Sequence, residues 1–104
     1  MPERVIVEVD EDLSDLIPDF LTHKRADIGA IFEALARRDY AAIAAIAHRI
    51  KGEGGSYGFD SMTEIGRLLE QAAATRDDGA VTTLARQLLN YMDRLEVVFQ
   101  PSKD

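Results

Sequence analysis

His48 is one of two histidines in a chain that contains no cysteine. Its neighbours, more than the residue itself, point to chemistry. Histidine ordinarily titrates near neutrality, so an accessible imidazole can serve as a nucleophile. Successive helical residues turn by about 100°, which places Ile46 and Ile50 about 160° from His48 and Ile43 about 140° away. The isoleucines must face a core, so His48 faces water. Ala41 and Gly55 lie about 20° from it, Ala44 and Gly52 about 40°, and Ala45 and Lys51 about 60°. Except for Lys51, that solvent strip is only alanine and glycine, with Arg49 beside it. Glycine inside a helix costs roughly 1 kcal/mol relative to alanine, so Gly52 needs a reason. One reason is that a side chain there would block approach to the ring. Lys51 lies one turn away, where its ammonium can offset the roughly two negative charges of a phosphoryl group. Nucleophile, cation and open approach together suit capture of a phosphoryl group. Ala41, Ala44, Ala45, Arg49 and Gly55 would form the surface on which another macromolecule docks. The bland alternative is a surface histidine beside small residues that merely allow close helix packing.

No carboxylate partner for His48 is evident from spacing, and no metal cluster accompanies it. The other histidine, His23, sits beside Lys24 and Arg25 in a polar stretch that reads as a solvated face.

The elements that must position this strip are helical. Val5–Val9 is a short apolar run, read as an extended arm packed on the domain in preference to an independent strand. From Leu13 the apolar spacing is three and four residues, through Leu16, Ile17, Phe20 and Leu21, then Ile28, Ile31, Phe32 and Leu35. Pro18 should kink that helix or divide it into a short lead and a longer successor. Asp39 is a good N-cap for a second helix, with Ile43, Ile46 and Ile50 inward, fading near Gly52–Gly55. Ser61 with Glu64 has the spacing of a capping box and opens a third helix bearing Met62, Ile65, Leu68, Leu69, Ala72 and Ala73. Asp77-Asp78-Gly79 signals a turn. A fourth helix carries Val81, Leu84, Leu88, Tyr91, Met92, Leu95 and Phe99 and ends at Pro101. Short connections favour antiparallel neighbours. The expected fold is therefore all-α: an antiparallel up-down four-helix bundle over about residues 12–99, with a short N-terminal extended arm or lead helix and a flexible tail at 100–104. The 104 residues suffice for a single domain.

A net charge of -7 opposes bulk binding of nucleic acid or anionic lipid. The absence of cysteine fits a reducing compartment, and no apolar run reaches the length of a membrane span. A cytoplasmic location is expected, and the Met start and polar tail lean toward a free-standing protein. All four apolar stripes are used internally, so a monomer is expected.

The run Ala47-His48-Arg49-Ile50-Lys51-Gly52-Glu53-Gly54-Gly55-Ser56-Tyr57-Gly58-Phe59 resembles the signature of histidine-containing phosphotransfer (HPt) domains. That pattern is a histidine, lysine three on, glycine four on and glycine ten on. Ile65, Leu68, Leu69-Glu70 and Ala72-Ala73 look like the same family's next helix. The similarity spans about residues 12–99, and its specific part is His48–Phe59. The resemblance implies a four-helix bundle that accepts a phosphoryl group on Nε2 of His48. The donor would be an aspartyl phosphate on the receiver domain of a response regulator or hybrid kinase, and another receiver would take the group on. Lys51 would assist the phosphoryl group, Gly52 would clear the path, and Gly58 would serve the turn. The Mg²⁺ such transfers need would belong to the receiver, with no cofactor here. Glu53 and Tyr57 depart from the small or aliphatic residues common in the family. Glu53 lies about 140° from His48 and should not crowd it, and Tyr57 should pack at the end of the bundle.

Two other classes compete with a phosphocarrier. A docking module would use the same strip without chemistry. A kinase dimerisation and catalytic unit would need a nucleotide motif, absent here, and a proline soon after the histidine, whereas none occurs between Pro18 and Pro101.

Overall fold

A computed structural model describes residues 3–102; Met1, Pro2, Lys103 and Asp104 lie outside the described residues, and with them the ends of the expected arm and tail. A strand β1 (Val5–Asp10) leads through a 3-10 turn (Glu11–Leu13) into four helices, α1 (Ile17–Ala36), α2 (Tyr40–Ser56), α3 (Asp60–Ala74) and α4 (Asp78–Arg94), and the chain closes with strand β2 (Leu95–Gln100). Helix α1 packs on α2 and α4, and α3 packs on the same two, so the four enclose one core. Ile28, Ile31, Ile43, Ile50, Phe59, Met62, Leu69, Val81 and Leu88 are buried there.

The links between helices are short because α1, α2 and α3 each end in the same hydrogen-bonded motif. After α1, Asp39 N–H donates to Ala34 O (2.9 Å) and Arg38 N–H to Leu35 O (3.0 Å). After α3, Asp77 N–H donates to Ala72 O (3.0 Å) and Arg76 N–H to Ala73 O (3.1 Å). This pairing satisfies the last carbonyls through one residue in left-handed conformation. Arg38 (φ 55°) and Arg76 (φ 53°) take that role, and Gly58 (φ 85°) takes it after α2. The next residue is then the N-cap of the following helix. Asp39 and Asp77 accept from the N–H groups of Ala42 (3.1 Å) and Ala80 (3.0 Å), so three-residue links suffice.

Several expectations are corrected. The domain is mostly helical but not all-α. Val5–Asp10 is not an unpaired arm; it runs parallel to Leu95–Gln100, with Val7 opposite Val97 and Val9 opposite Phe99. The fourth helix stops at Arg94, so Leu95 and Phe99 belong to a strand. Pairing with the β-branched run of β1 outweighs the helical spacing there. The Ser61–Glu64 capping box does not form. Helix α3 starts at Asp60 behind Phe59 without a side-chain cap, which leaves Glu64 to pair with Arg67. Helix α2 continues through its glycines to Ser56. Pro18 sits in the first turn of α1, where its missing N–H costs nothing, with the 3-10 turn as a short lead. Lys24 is not part of a solvated face. It is buried, bonded to Asp27 Oδ2 (2.7 Å) and to Glu53, with its ammonium over the Phe20 ring.

Candidate functional site

The isoleucine pattern aims α2 as the wheel requires. Ile43 and Ile50 are fully buried and Ile46 half-buried, while the His48 side chain is 71% exposed on the opposite face. Along that face Ala41, Ala45 and Gly52 are exposed and Ala44 is half-buried against the core. A Cβ added at Gly52 would meet nothing within 4 Å, so packing gives no reason for glycine at this position. Gly54 is different. It is buried, and a Cβ there would press on Met62 at 3.1 Å. Gly55 is exposed, yet its added Cβ would touch Thr63 Oγ1 at 3.4 Å, which puts it at the edge of the α2–α3 contact.

The partner that sequence reasoning missed is Glu70 on α3. Its Oε2 lies 3.2 Å from His48 Nδ1, and its Oε1 lies 2.8 Å from Lys51 Nζ. An ionised carboxylate only accepts, so Nδ1 carries the hydrogen and donates it. In the neutral ring the lone pair then sits on Nε2, away from Glu70. The hydrogen bond from Lys51 is the main influence holding the Glu70 carboxyl below its ordinary pKa; partial burial opposes it, and the charge of Lys51 and His48 reinforces it.

Glu70 reaches His48 because α3 lies close on α2. Gly66 is buried, and an added Cβ would fall 2.9 Å from Lys51 N and 3.1 Å from Ala47 O. The two backbones therefore touch one turn before Glu70. Thr63 Oγ1 also donates to Lys51 O (3.1 Å). The signal for Glu70 was a glycine at 66, four residues earlier on α3. Spacing along one helix cannot reveal contact across two.

On the other side of α2, Arg49 Nη2 bonds Asp27 Oδ1 at 2.6 Å while half its side chain remains exposed. Burial raises the Asp27 carboxyl, but hydrogen bonds from Arg49 and Lys24 outweigh this and hold it below its ordinary value. Glu53 turns to Lys24 and leaves His48 clear. Tyr57 packs on Phe20, ring centres 4.5 Å apart. His23 is exposed on α1.

The sequence matches the profile of the Hpt domain over residues 6–97. The chain belongs to the Hpt-domain family. No curated protein and no solved structure matches it significantly. As an Hpt domain it takes part in histidine phosphotransfer within two-component phosphorelays, as a phosphocarrier and not a kinase, and it works with receiver domains. Among the described residues of this Hpt domain, no group of three metal-ligating side chains converges, and no helix is long and apolar enough to cross a membrane.

Proposed function

We propose that this Hpt domain is a phosphorelay intermediate whose phosphorylated atom is Nε2 of His48. The observation that carries the reading is the Glu70 contact, which ties up Nδ1 and leaves Nε2 facing solvent beside the open position of Gly52. The lone pair on Nε2 attacks the phosphorus of an aspartyl phosphate on a receiver. A P–N bond forms as the P–O bond to the aspartate breaks, and the carboxylate leaves. Glu70 stabilises the positive charge that grows on the ring through the Nδ1 hydrogen. Lys51 is one turn from His48 and offsets the charge of the incoming oxygens. The reverse step hands the group to a second receiver. Mg²⁺ acts on the receiver's side, and this chain supplies no cofactor.

Ala41, Ala44 and Ala45 give the receiver a flat landing beside the ring. Gly55 sits at its margin, and Arg49, anchored by Asp27, supplies a cation at its rim. The short links favour an antiparallel up-down course for the four helices, working as a single, monomeric, cytoplasmic domain.

Incubation with a phosphorylated receiver tests the proposal. Acid-labile, base-stable phosphate should appear on the protein and be absent from His48→Gln. Undiminished labelling of that variant would refute the assignment. Stable receiver binding without transfer would instead identify a docking module. Labelled ATP alone should leave no label.

A further inference from the structure

Helices α3 and α4 leave a groove of about 800 Å³ on a face formed without α2, and so away from His48. One wall is a stripe of α4 with Arg86, Gln87, Asn90 and Arg94; Ser61 and Ile65 of α3 lie opposite. No carboxylate lines it. That is unusual in a chain of net charge -7. Elsewhere Arg4, Arg25, Arg38, Arg49 and Arg67 each meet an acid, while among the described residues Arg37 and Arg76 do not. Among the described residues neither Arg86 nor Arg94 does, and Nε of Arg94 is buried without a hydrogen-bond partner. A buried donor without an acceptor costs free energy until one arrives.

We propose that this groove binds an extended acidic peptide segment of a partner protein, with two carboxylates four residues apart and an apolar residue midway. The spacing carries the choice. Arg86 and Arg94 are eight helical residues apart, about 12 Å at 1.5 Å per residue. In an extended chain, four residues cover about 13 Å, and residues an even number apart point to the same side. One carboxylate would therefore meet each guanidinium. The middle side chain would fall toward Ile65, and the amides of Gln87 and Asn90 offer donors and acceptors to the peptide backbone. The open shape suits a peptide better than a small molecule, because small-molecule sites enclose most of their ligand. Asp60 borders the adjoining hollow beyond Ser61 and Tyr91, which confines the peptide's acids to the arginine stripe.

The test uses the full chain, isotope-labelled, with the acetylated and amidated pentapeptide Glu-Ser-Leu-Ser-Glu. Chemical-shift changes should map to Ser61, the side-chain amides of Gln87 and Asn90, and Nε–H of Arg94, and should weaken with added salt. Arg86→Gln should weaken binding about tenfold, the loss expected for one charge-assisted hydrogen bond, and leave receiver phosphotransfer unchanged. Arg86 is exposed, so this variant keeps the test valid should Arg94→Gln fail to fold. Replacing both glutamates of the peptide by glutamine should abolish binding. Equal binding of that neutral peptide would overturn the proposal, as would shifts confined to Arg49 and Lys51. Pyrophosphate binding as tightly, with the same shifts, would do so too, by showing a site for small anions.

Discussion

Gly66→Ala tests how α3 brings Glu70 to His48. The added methyl would sit 2.9 Å from Lys51 N, 3.1 Å from Ala47 O and 3.1 Å from Lys51 Cα. Comfortable carbon contacts are about 3.5–4.0 Å, so the helices must part by about half an ångström. All three obstacles are backbone atoms, which cannot rotate aside as a side chain would. Overpacking costs about 1–3 kcal/mol, and fixed obstacles place this site at the upper end. Alanine returns about 1 kcal/mol in helix propensity. The net loss is about 2 kcal/mol, a drop of about 10 °C in Tm for a domain of this size. The same half ångström would stretch the 3.2 Å contact between His48 Nδ1 and Glu70 beyond hydrogen-bond range. Urea unfolding followed by circular dichroism should show a lower midpoint at unchanged slope, and receiver-to-protein transfer should slow in the same variant. A Gly66→Ala protein as stable as the parent, or about 1 kcal/mol more stable, would refute the backbone contact between α2 and α3.

Gly52→Ala should do the opposite to stability, raising it by about 1 kcal/mol because the new methyl meets open space, while slowing transfer from a receiver; unfolding and transfer rates measured on one sample would separate the two effects. Glu70→Gln should slow transfer about 10–100-fold, the span set by one charge-assisted hydrogen bond, with receiver affinity little changed. Asp39→Ala removes the cap on Ala42 N–H and should cost about 1 kcal/mol in urea unfolding without altering the site. The depressed Glu70 pKa means the unfolded chain takes up the proton first. Its contribution to stability is therefore complete above the ordinary 4.5 and lost as pH falls through the folded value. A carbon-detected NMR titration should place its midpoint below 4.5, and Lys51→Met should raise it.

What the sequence reveals is what a single helix encodes. Asp39 and the isoleucine spacing of α2 foretell its start, its buried face and the exposure of His48, and Gly52 stands out because glycine inside a helix is costly. Contacts between elements stay hidden. Glu70 becomes a partner of His48 only through the α2–α3 register that Gly66 permits. Lys24 reads as polar surface until α1 and α2 meet and Asp27 and Glu53 surround it. Strand β2 is masked because Leu95 and Phe99 continue the spacing of α4. Its partner, β1, is at the other end of the chain, so its pairing depends on the finished fold.

The central claim concerns one atom. Protein labelled with ¹⁵N in its imidazoles and phosphorylated by a receiver should show ³¹P coupling to Nε2 of His48, with Nδ1 still protonated against Glu70. Coupling to Nδ1, or to a nitrogen of His23, would contradict it.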